Sequence, residues 1–377
     1  MNNKRKIVFL TGTRADFGKL KSLISILNKD KSYEVFLFVT GMHMLSKYGS
    51  TYVEVEKSGF QNIFKFVNQE LGDPMDRIIS KTINGFSDYV KKISPDFIII
   101  HGDRLEALAG AIVGSFNNIL TGHLEGGEVS GTIDEIIRHS VSKLSNVHFV
   151  ANQEAKNRLL QLGEKENSIY VIGSPDIDIM NSSDLPTLDE VKKRYQINFD
   201  NYAIILYHSV TTELNLLEKE IKELIKNVID SNLNYVIIYP NNDPGSQIIL
   251  DHYKKLDINK KFKIFPSMRF EYFLTLLKNS MFIIGNSSAG IREAPHFGVP
   301  SVDIGTRQNG RVKCDSVINI DINSQDITSG IDFAVGYNKV KFTLFGNGNS
   351  ALEFHSILNN KDFWNQKTQK KFIDIKF

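Results

Sequence analysis

What this sequence lacks narrows its chemistry before any motif is read. It has one cysteine, Cys314, which excludes an internal disulfide and fits a reducing, cytoplasmic setting. No His–Cys signature surrounds that thiol, so a small buried hydrophobe is a plainer reading than a nucleophile. Charge of one sign is also missing: 45 basic against 43 acidic residues leave a formal +2. Nucleic-acid binders usually show a clustered basic surface, so nucleic acid is excluded as the main partner. No apolar run reaches the length that spans a bilayer. The apolar stretch behind the basic start, Ile7–Leu10, is too short for a signal peptide. No short repeat or low-complexity segment occurs. The composition, 41% hydrophobic and 23% charged, is ordinary for a globular protein, and 377 residues leave room for two domains.

The residues that are present centre on one stretch, Ile98 to Lys143. Two short apolar runs, Phe97–Ile100 and Asn118–Thr121, end as strands end. Each leads into a charged loop, His101-Gly102-Asp103-Arg104 and His123-Leu124-Glu125-Gly126-Gly127-Glu128. Between them Leu105, Leu108, Ala109, Ile112, Val113 and Phe116 recur at helical spacing. This is a βαβ unit with acids at both carboxyl strand ends, where open α/β sheets bind ligands. Asp103 and Glu125 are therefore expected to face one crevice.

Strict strand–helix alternation runs on both sides of that stretch and predicts two doubly wound domains with parallel sheets. Ile7–Leu10 is a first buried strand. Behind it, Thr11-Gly12-Thr13-Arg14-Ala15-Asp16-Phe17-Gly18-Lys19 opens a helix and suggests anion binding. It is not a dinucleotide fingerprint, because the glycines lack the spacing. The run from Gly173 to Pro186 reads as a domain boundary. The first domain is placed at 1–175 and the second at 180–360. A segment 361–377 is expected to return to the first domain, since Phe363, Trp364, Phe372, Ile373 and Phe377 are too apolar for a free tail. In the second domain Tyr202–Tyr207 is the first strand, and Ala289–Phe297 is read as one helix.

Each polar constellation has a plain reading beside a functional one. Gly285-Asn286-Ser287-Ser288 turns from strand to helix and suits a diphosphate, with Glu293 one turn inside placed to accept from ribose hydroxyls. Equally, Ser288 caps the helix and Glu293 lies on a solvated face. Thr132-Ile133-Asp134-Glu135 reads as a capping box, with Asp134 paired to Arg138 four residues on. Only one glycine-rich loop separates Asp134 from Glu125, so both acids can also reach one pocket. His208, just past a strand end, is either a satisfied loop histidine or a ligand group. His101, His123 and His139 lack zinc-ligand spacing, so hydrogen-bonding roles are assigned to them and no metal is expected.

Taken in order, the motifs Thr11–Asp16, His101–Arg104, His123–Glu128, Ser130–Asp134 with Arg138-His139, Gly285–Ser288 and Gly305-Thr306-Arg307-Gln308 resemble those of the hydrolysing UDP-N-acetylglucosamine 2-epimerases. They cover nearly the whole chain. The resemblance implies a GT-B architecture of two Rossmann-like domains with the ligand in the cleft between them. It implies a UDP-sugar substrate, no cofactor, no membrane partner, a homodimer or homotetramer, and a place in sialic acid or capsular polysaccharide synthesis. Arg104 after Asp103 resembles the hydrolysing branch. Ser209 departs from the pattern, since related sequences commonly carry proline after the histidine.

By the same resemblance Asp103, Glu125 and Asp134 are the acid/base carboxylates, and crowding of like charge is expected to raise at least one of their pKa values. His208 joins the catalytic set and, with Arg14, Ser287 and Ser288, holds the diphosphate, Arg307 lying nearby. Asn241 is placed by the phosphates, Met268 and Phe273 by the uracil, and Glu293 on the ribose. The implied reaction removes the C2 proton, expels UDP to give a 2-acetamidoglucal, and hydrates that alkene. The same reaction on a diacetamido-bacillosamine nucleotide, a GT-B glycosyltransferase, and a non-catalytic nucleotide-sugar sensor are the alternatives. The three carboxylates speak against the sensor, because they do not help to bind an anion.

Overall fold

A computed structural model describes residues 4–374 apart from 131–132, 257 and 311–313. The capping-box residue Thr132, the motif residue Gly131 and the apolar terminus Phe377 thus lie outside the described residues. The chain divides into two compact units, one of Met1–Glu128, Asp134–Ser182 and Leu344–Phe377, the other of Val129–Ile133 and Ser183–Thr343.

The first unit alternates strands and helices: β1 (Arg5–Thr11), α1 (Arg14–Lys29), β2 (Tyr33–Val39), α2 (Tyr52–Lys57), β3 (Asn62–Lys65), α3 (Met75–Ile93), β4 (Phe97–His101), α4 (Leu105–Phe116), β5 (Leu120–Leu124), α5 (Ile133–Leu144), β6 (Val147–Val150), α6 (Gln153–Gln161), β7 (Ile169–Val171) and α7 (Pro175–Met180). Its strands are all parallel, in the order β3-β2-β1-β4-β5-β6-β7. Helices cover both faces of such a sheet, which is why β1 and β4 contain the unbroken apolar runs Ile7–Leu10 and Phe97–Ile100. Ile7, Phe9, Phe97 and Ile99 are fully buried beneath Leu20 and Ile24 of α1. The strand order reverses between β1 and β4, and that is the switch point at which such sheets bind ligands.

The second unit repeats the plan with α8 (Leu188–Tyr195), β8 (Ala203–Leu206), α9 (Leu217–Asp230), β9 (Tyr235–Ile238), α10 (Ser246–Lys254), β10 (Phe262–Phe265), α11 (Phe270–Asn279), β11 (Ile283–Gly285), α12 (Glu293–Phe297), β12 (Ser301–Ile304), β13 (Val317–Ile320) and α13 (Ser324–Gly336). Its parallel order is β10-β9-β8-β11-β12-β13, so the reversal falls between β8 and β11. Gly285 ends β11 with φ 141°, and a Cβ there would stand 2.2 Å from the Leu206 carbonyl oxygen of β8. Only glycine lets the strands close at that point.

Several boundaries differ from those read in the sequence. Strand β5 runs on to Leu124, so His123 is a buried strand residue. Its Nε2 lies 2.8 Å from the Gly102 carbonyl and its Nδ1 3.0 Å from Ser142 Oγ. The expected helix Ala289–Phe297 is broken into a 3₁₀ turn, Ser288–Gly290, and α12. Residues 344–360, assigned to the second domain by sequence, belong to the first unit. There α14 (Ser350–Asn359) is capped by Asp178 of α7, whose carboxylate accepts from the amides of Ser350 and Ala351 at 2.8 and 2.7 Å. Phe354 of α14 meets Phe149 with ring centroids 4.8 Å apart. Beyond it, Phe363 and Trp364 pack edge-on against Phe97.

Two histidines carry a pH consequence. His43, with Nε2 3.0 Å from Thr11 Oγ1 and Nδ1 2.7 Å from Thr51 Oγ1, is fully buried. Burial pushes its pKa down to about 4, and that of His123 to about 3. A folded-state pKa below the unfolded value means the unfolded chain binds more protons, so the stability these groups confer is complete above pH 6.5 and is lost as pH falls toward the folded values. Between pH 7 and pH 5 each should cost the fold about 2 kcal/mol. Urea unfolding followed at those two pH values checks this, and equal midpoints would contradict it.

Candidate active site

In the first unit the switch point joins the loops after β1 and β4. The glycine loop after β1 is closed on itself. Thr13 Oγ1 accepts from the Asp16 amide at 3.2 Å, while the Asp16 carboxylate accepts from the amides of Gly12 and Thr13 at 2.9 and 3.2 Å. This capping box satisfies the donors that an anion would need, so the anion-binding expectation for those backbone amides does not hold. Arg14, the first residue of α1, is ion-paired with Glu54 of α2. Arg104 is the N-cap residue of α4.

Beside them two of the three expected acids share one partner. Asp103 follows β4 and Glu125 follows β5, and both meet Arg138 of α5, a guanidinium with 1% of its side chain exposed. Arg138 Nη2 is ion-paired with Asp103. Its Nη1 donates to the Glu125 carbonyl at 3.2 Å and lies 3.8 Å from Glu128 Oε2. Glu125 itself adopts φ 65°, a left-handed conformation that costs a non-glycine residue about 1–3 kcal/mol and concentrates at functional sites. The strain is held by its amide, which donates to the Phe149 carbonyl at 3.2 Å. The Glu125 carboxylate lies 3.5 Å from Lys19 Nζ and 3.2 Å from His101 Nε2. Lys19 also lies 3.5 Å from Asp176, and both side chains are buried. The acids are thus not crowded against one another alone, because two buried cations stand among them. Asp134 sits in the first turn of α5, one turn before Arg138.

Lys19, Asp176 and the bridging role of Arg138 were missed from sequence. The only signal was a lysine on the inward stripe of α1, four residues before Leu23, where an apolar residue would be ordinary.

In the second unit the loops after β8 and β11 are tied through Asn286. Its side-chain oxygen accepts from the His208 amide at 2.7 Å, and its side-chain nitrogen donates to the His208 carbonyl at 2.8 Å. The backbone of His208 is therefore pinned on both sides despite Ser209. The Asn241 amide donates to His208 Nδ1 at 3.0 Å, which puts the ring proton on Nε2. Arg307 and Gln308 donate to the Asn286 carbonyl at 3.2 and 2.7 Å. So His208, Asn241, Asn286 and Arg307 form one connected group, with Ser287 and Ser288 next in the chain. The cap of the following 3₁₀ turn is Ser287, which accepts from the Ala289 amide at 3.3 Å, and not Ser288. Glu293 is the first residue of α12, not one turn inside a helix, and is buried instead of lying on a solvated face. Met268 and Phe273 are buried at the start of α11, beyond the carboxyl end of β10. Among the described residues no group of three or more His, Cys, Asp or Glu is arranged to hold a metal, and no helix is long and apolar enough to cross a membrane.

Two parallel sheets of Rossmann order on one chain, each with polar loops at or beside its switch point, are the elements of a GT-B-type fold. The family model of UDP-N-acetylglucosamine 2-epimerase matches residues 25–359. The chain is 48% identical, over 98% of its length and 99% of the relative's, to UDP-N-acetylglucosamine 2-epimerase of Neisseria meningitidis. It is 33% identical, over 94% and 95%, to UDP-N,N'-diacetylbacillosamine 2-epimerase (hydrolyzing) of Legionella pneumophila. The crystal structure of Methanocaldococcus jannaschii UDP-GlcNAc 2-epimerase, in complex with UDP-GlcNAc and UDP, superposes with a TM-score of 0.80 at 23% identity, covering 94% of this chain and 99% of that one. The chain belongs to the UDP-N-acetylglucosamine 2-epimerase family.

Arg138 gives the site its stability test. Replacing it by Met leaves Asp103 without its buried partner, and the fold should lose about 3–5 kcal/mol. Lysine should not rescue, since a single ammonium cannot reproduce the two arms of the guanidinium. Thermal or urea denaturation measures both variants, and a wild-type midpoint for Arg138→Met would contradict the bridging role.

Proposed function

We propose that this chain is a hydrolysing UDP-N-acetylglucosamine 2-epimerase serving sialic acid or surface polysaccharide synthesis. The observation that carries the reading is the meeting of the Asp103 carboxylate and the Glu125 backbone carbonyl on one buried guanidinium beside the switch point of the first sheet, with the Glu125 carboxylate held by Lys19 and His101. A carboxylate removes the sugar C2 proton, the C2–H electrons form the C1–C2 double bond, and the C1–O bond breaks with its electrons leaving on UDP. Water then adds across the glycal, hydroxyl to C1 and a proton to C2 on the opposite face, giving N-acetylmannosamine. The C2 proton is weakly acidic, so the step demands a positioned base and a stabilised leaving diphosphate. Asp103, Glu125 and Asp134 are the proton-transfer groups of this proposal. His208 offers an Nε2–H to the diphosphate, with Arg14, Asn241, Ser287, Ser288 and Arg307 as further contacts. Glu293 accepts from the ribose, Met268 and Phe273 flank the uracil, and Arg104 supports the sugar end.

The Legionella relative favours a second reading, the same chemistry on UDP-2,4-diacetamido-bacillosamine. The higher identity to the Neisseria relative supports N-acetylglucosamine as the sugar. Comparing kcat/KM for the two nucleotide sugars should rank UDP-N-acetylglucosamine first, and the reverse ranking would replace the substrate.

Asp103→Asn, Glu125→Gln and Asp134→Asn should each lower turnover by about 10²–10⁴ while UDP binding survives. For Asp134, a change confined to stability would return it to the helix start. Substrate deuterated at C2 should yield free UDP and N-acetylmannosamine without deuterium in ordinary water, and full retention would rule out the elimination. Glu293→Ala and Ser287→Ala should each weaken UDP binding by about 1–3 kcal/mol in calorimetry, and unchanged affinity for both would leave that stretch a structural turn.

A further inference from the structure

Away from both switch points, the first unit holds a pocket of ≈ 290 Å³ between the turn after α6 and the returning segment beyond α14. Its floor is a set of paired charges. Glu164, 3% exposed, lies 3.0 Å from Nε2 of the fully buried His148 and 2.9 Å from Lys143, and is also ion-paired with Lys370. Lys370 donates further to the carbonyls of Ser142 and Ser145 at 3.2 and 2.7 Å. Burial opposes the charge on Glu164, but His148 and Lys370 prevail and hold its pKa at about 2.

With the floor neutralised, the walls decide what the pocket attracts. Lys165, Lys367 and Lys371 line it, and among the described residues their ammonium groups have no hydrogen-bond or ion-pair partner. Asp362 is the single further acid of the lining. Side-chain amides, Asn146, Asn167 and Gln366 among them, alternate with the lysines. Three lysines against one further acid give the wall a net positive charge that attracts an anion, and amides on the same wall offer both donors and acceptors, which suit hydroxyl groups. The size sits at the low end of ligand sites, so a nucleotide sugar is too large.

We propose that this pocket binds a small hydroxylated anion, a sugar bearing a phosphate or carboxylate, with the charge against Lys165, Lys367 and Lys371 and the hydroxyls against the amides. Such a ligand would bridge the turn at 163–168 to the segment 362–373. The full chain should be titrated calorimetrically with glucose 6-phosphate, glucuronate, glucose and inorganic phosphate. At least one of the two sugar anions should bind, and which one does so tells phosphate from carboxylate. The double variant Lys165→Gln/Lys371→Gln should weaken that binding by about tenfold or more, since each substitution removes a charge-assisted contact. These side chains are exposed, so the variant should melt with the wild type, and Lys263→Gln in the second unit should bind normally. The proposal is overturned if neither sugar anion binds, if the double variant binds like the wild type, or if glucose or inorganic phosphate alone binds as tightly.

Discussion

A guanidinium closed off from water must find acceptors for its donors, and Arg138 finds them at the ends of two neighbouring strands. That requirement shapes the first unit's charged loops. Asp103 after β4 and the Glu125 carbonyl after β5 are drawn to one side chain, because an unmet buried charge would cost far more than either loop's distortion. Glu125 accepts a left-handed backbone in return, fixed by a ladder-type bond to β6 and by Arg138. Lys19 and Asp176 then complete a small network in which buried acids and cations face each other. Removing any member leaves another stranded, so the cluster behaves as a unit.

The second unit solves a different problem with neutral groups. Asn286 grips both backbone polar groups of His208, and the Asn241 amide fixes the imidazole tautomer. The close approach of β11 to β8 that brings Asn286 there depends on Gly285 having no Cβ. One unit thus supplies fixed charge beside the point where its sheet reverses order, and the other fixed dipoles at that point.

Much of this was legible because parallel strands buried on both faces read as plain apolar runs, and because acids and histidines stood where those runs ended. Asp103, Glu125 and His208 announced themselves in that way. The end of β5 did not, since Thr121, Gly122 and His123 are polar or small yet buried, the Thr121 amide and the His123 ring finding partners distant in sequence. Nor did the break after Ser288, where the spacing of apolar residues suits a continuous helix although the backbone turns through 3₁₀ first. Lys19 and Asp176 meet only in the folded unit. The residues from Leu344 onward looked like more of the second domain because their apolar pattern says that they pack, not against which sheet.

That last feature reaches into biosynthesis. Helix α14 and the segment after it complete the first unit's core, yet they follow the second unit in the chain. During translation at about 5–20 residues per second, the roughly 160 residues in between take on the order of 10–30 seconds to emerge. Throughout that interval Phe97 and Phe149 lack their covering aromatics. The second unit, whose strands and helices are nearly continuous in sequence, is positioned to finish folding first, while the unit that began the chain waits open with an exposed apolar face that a chaperone can recognise.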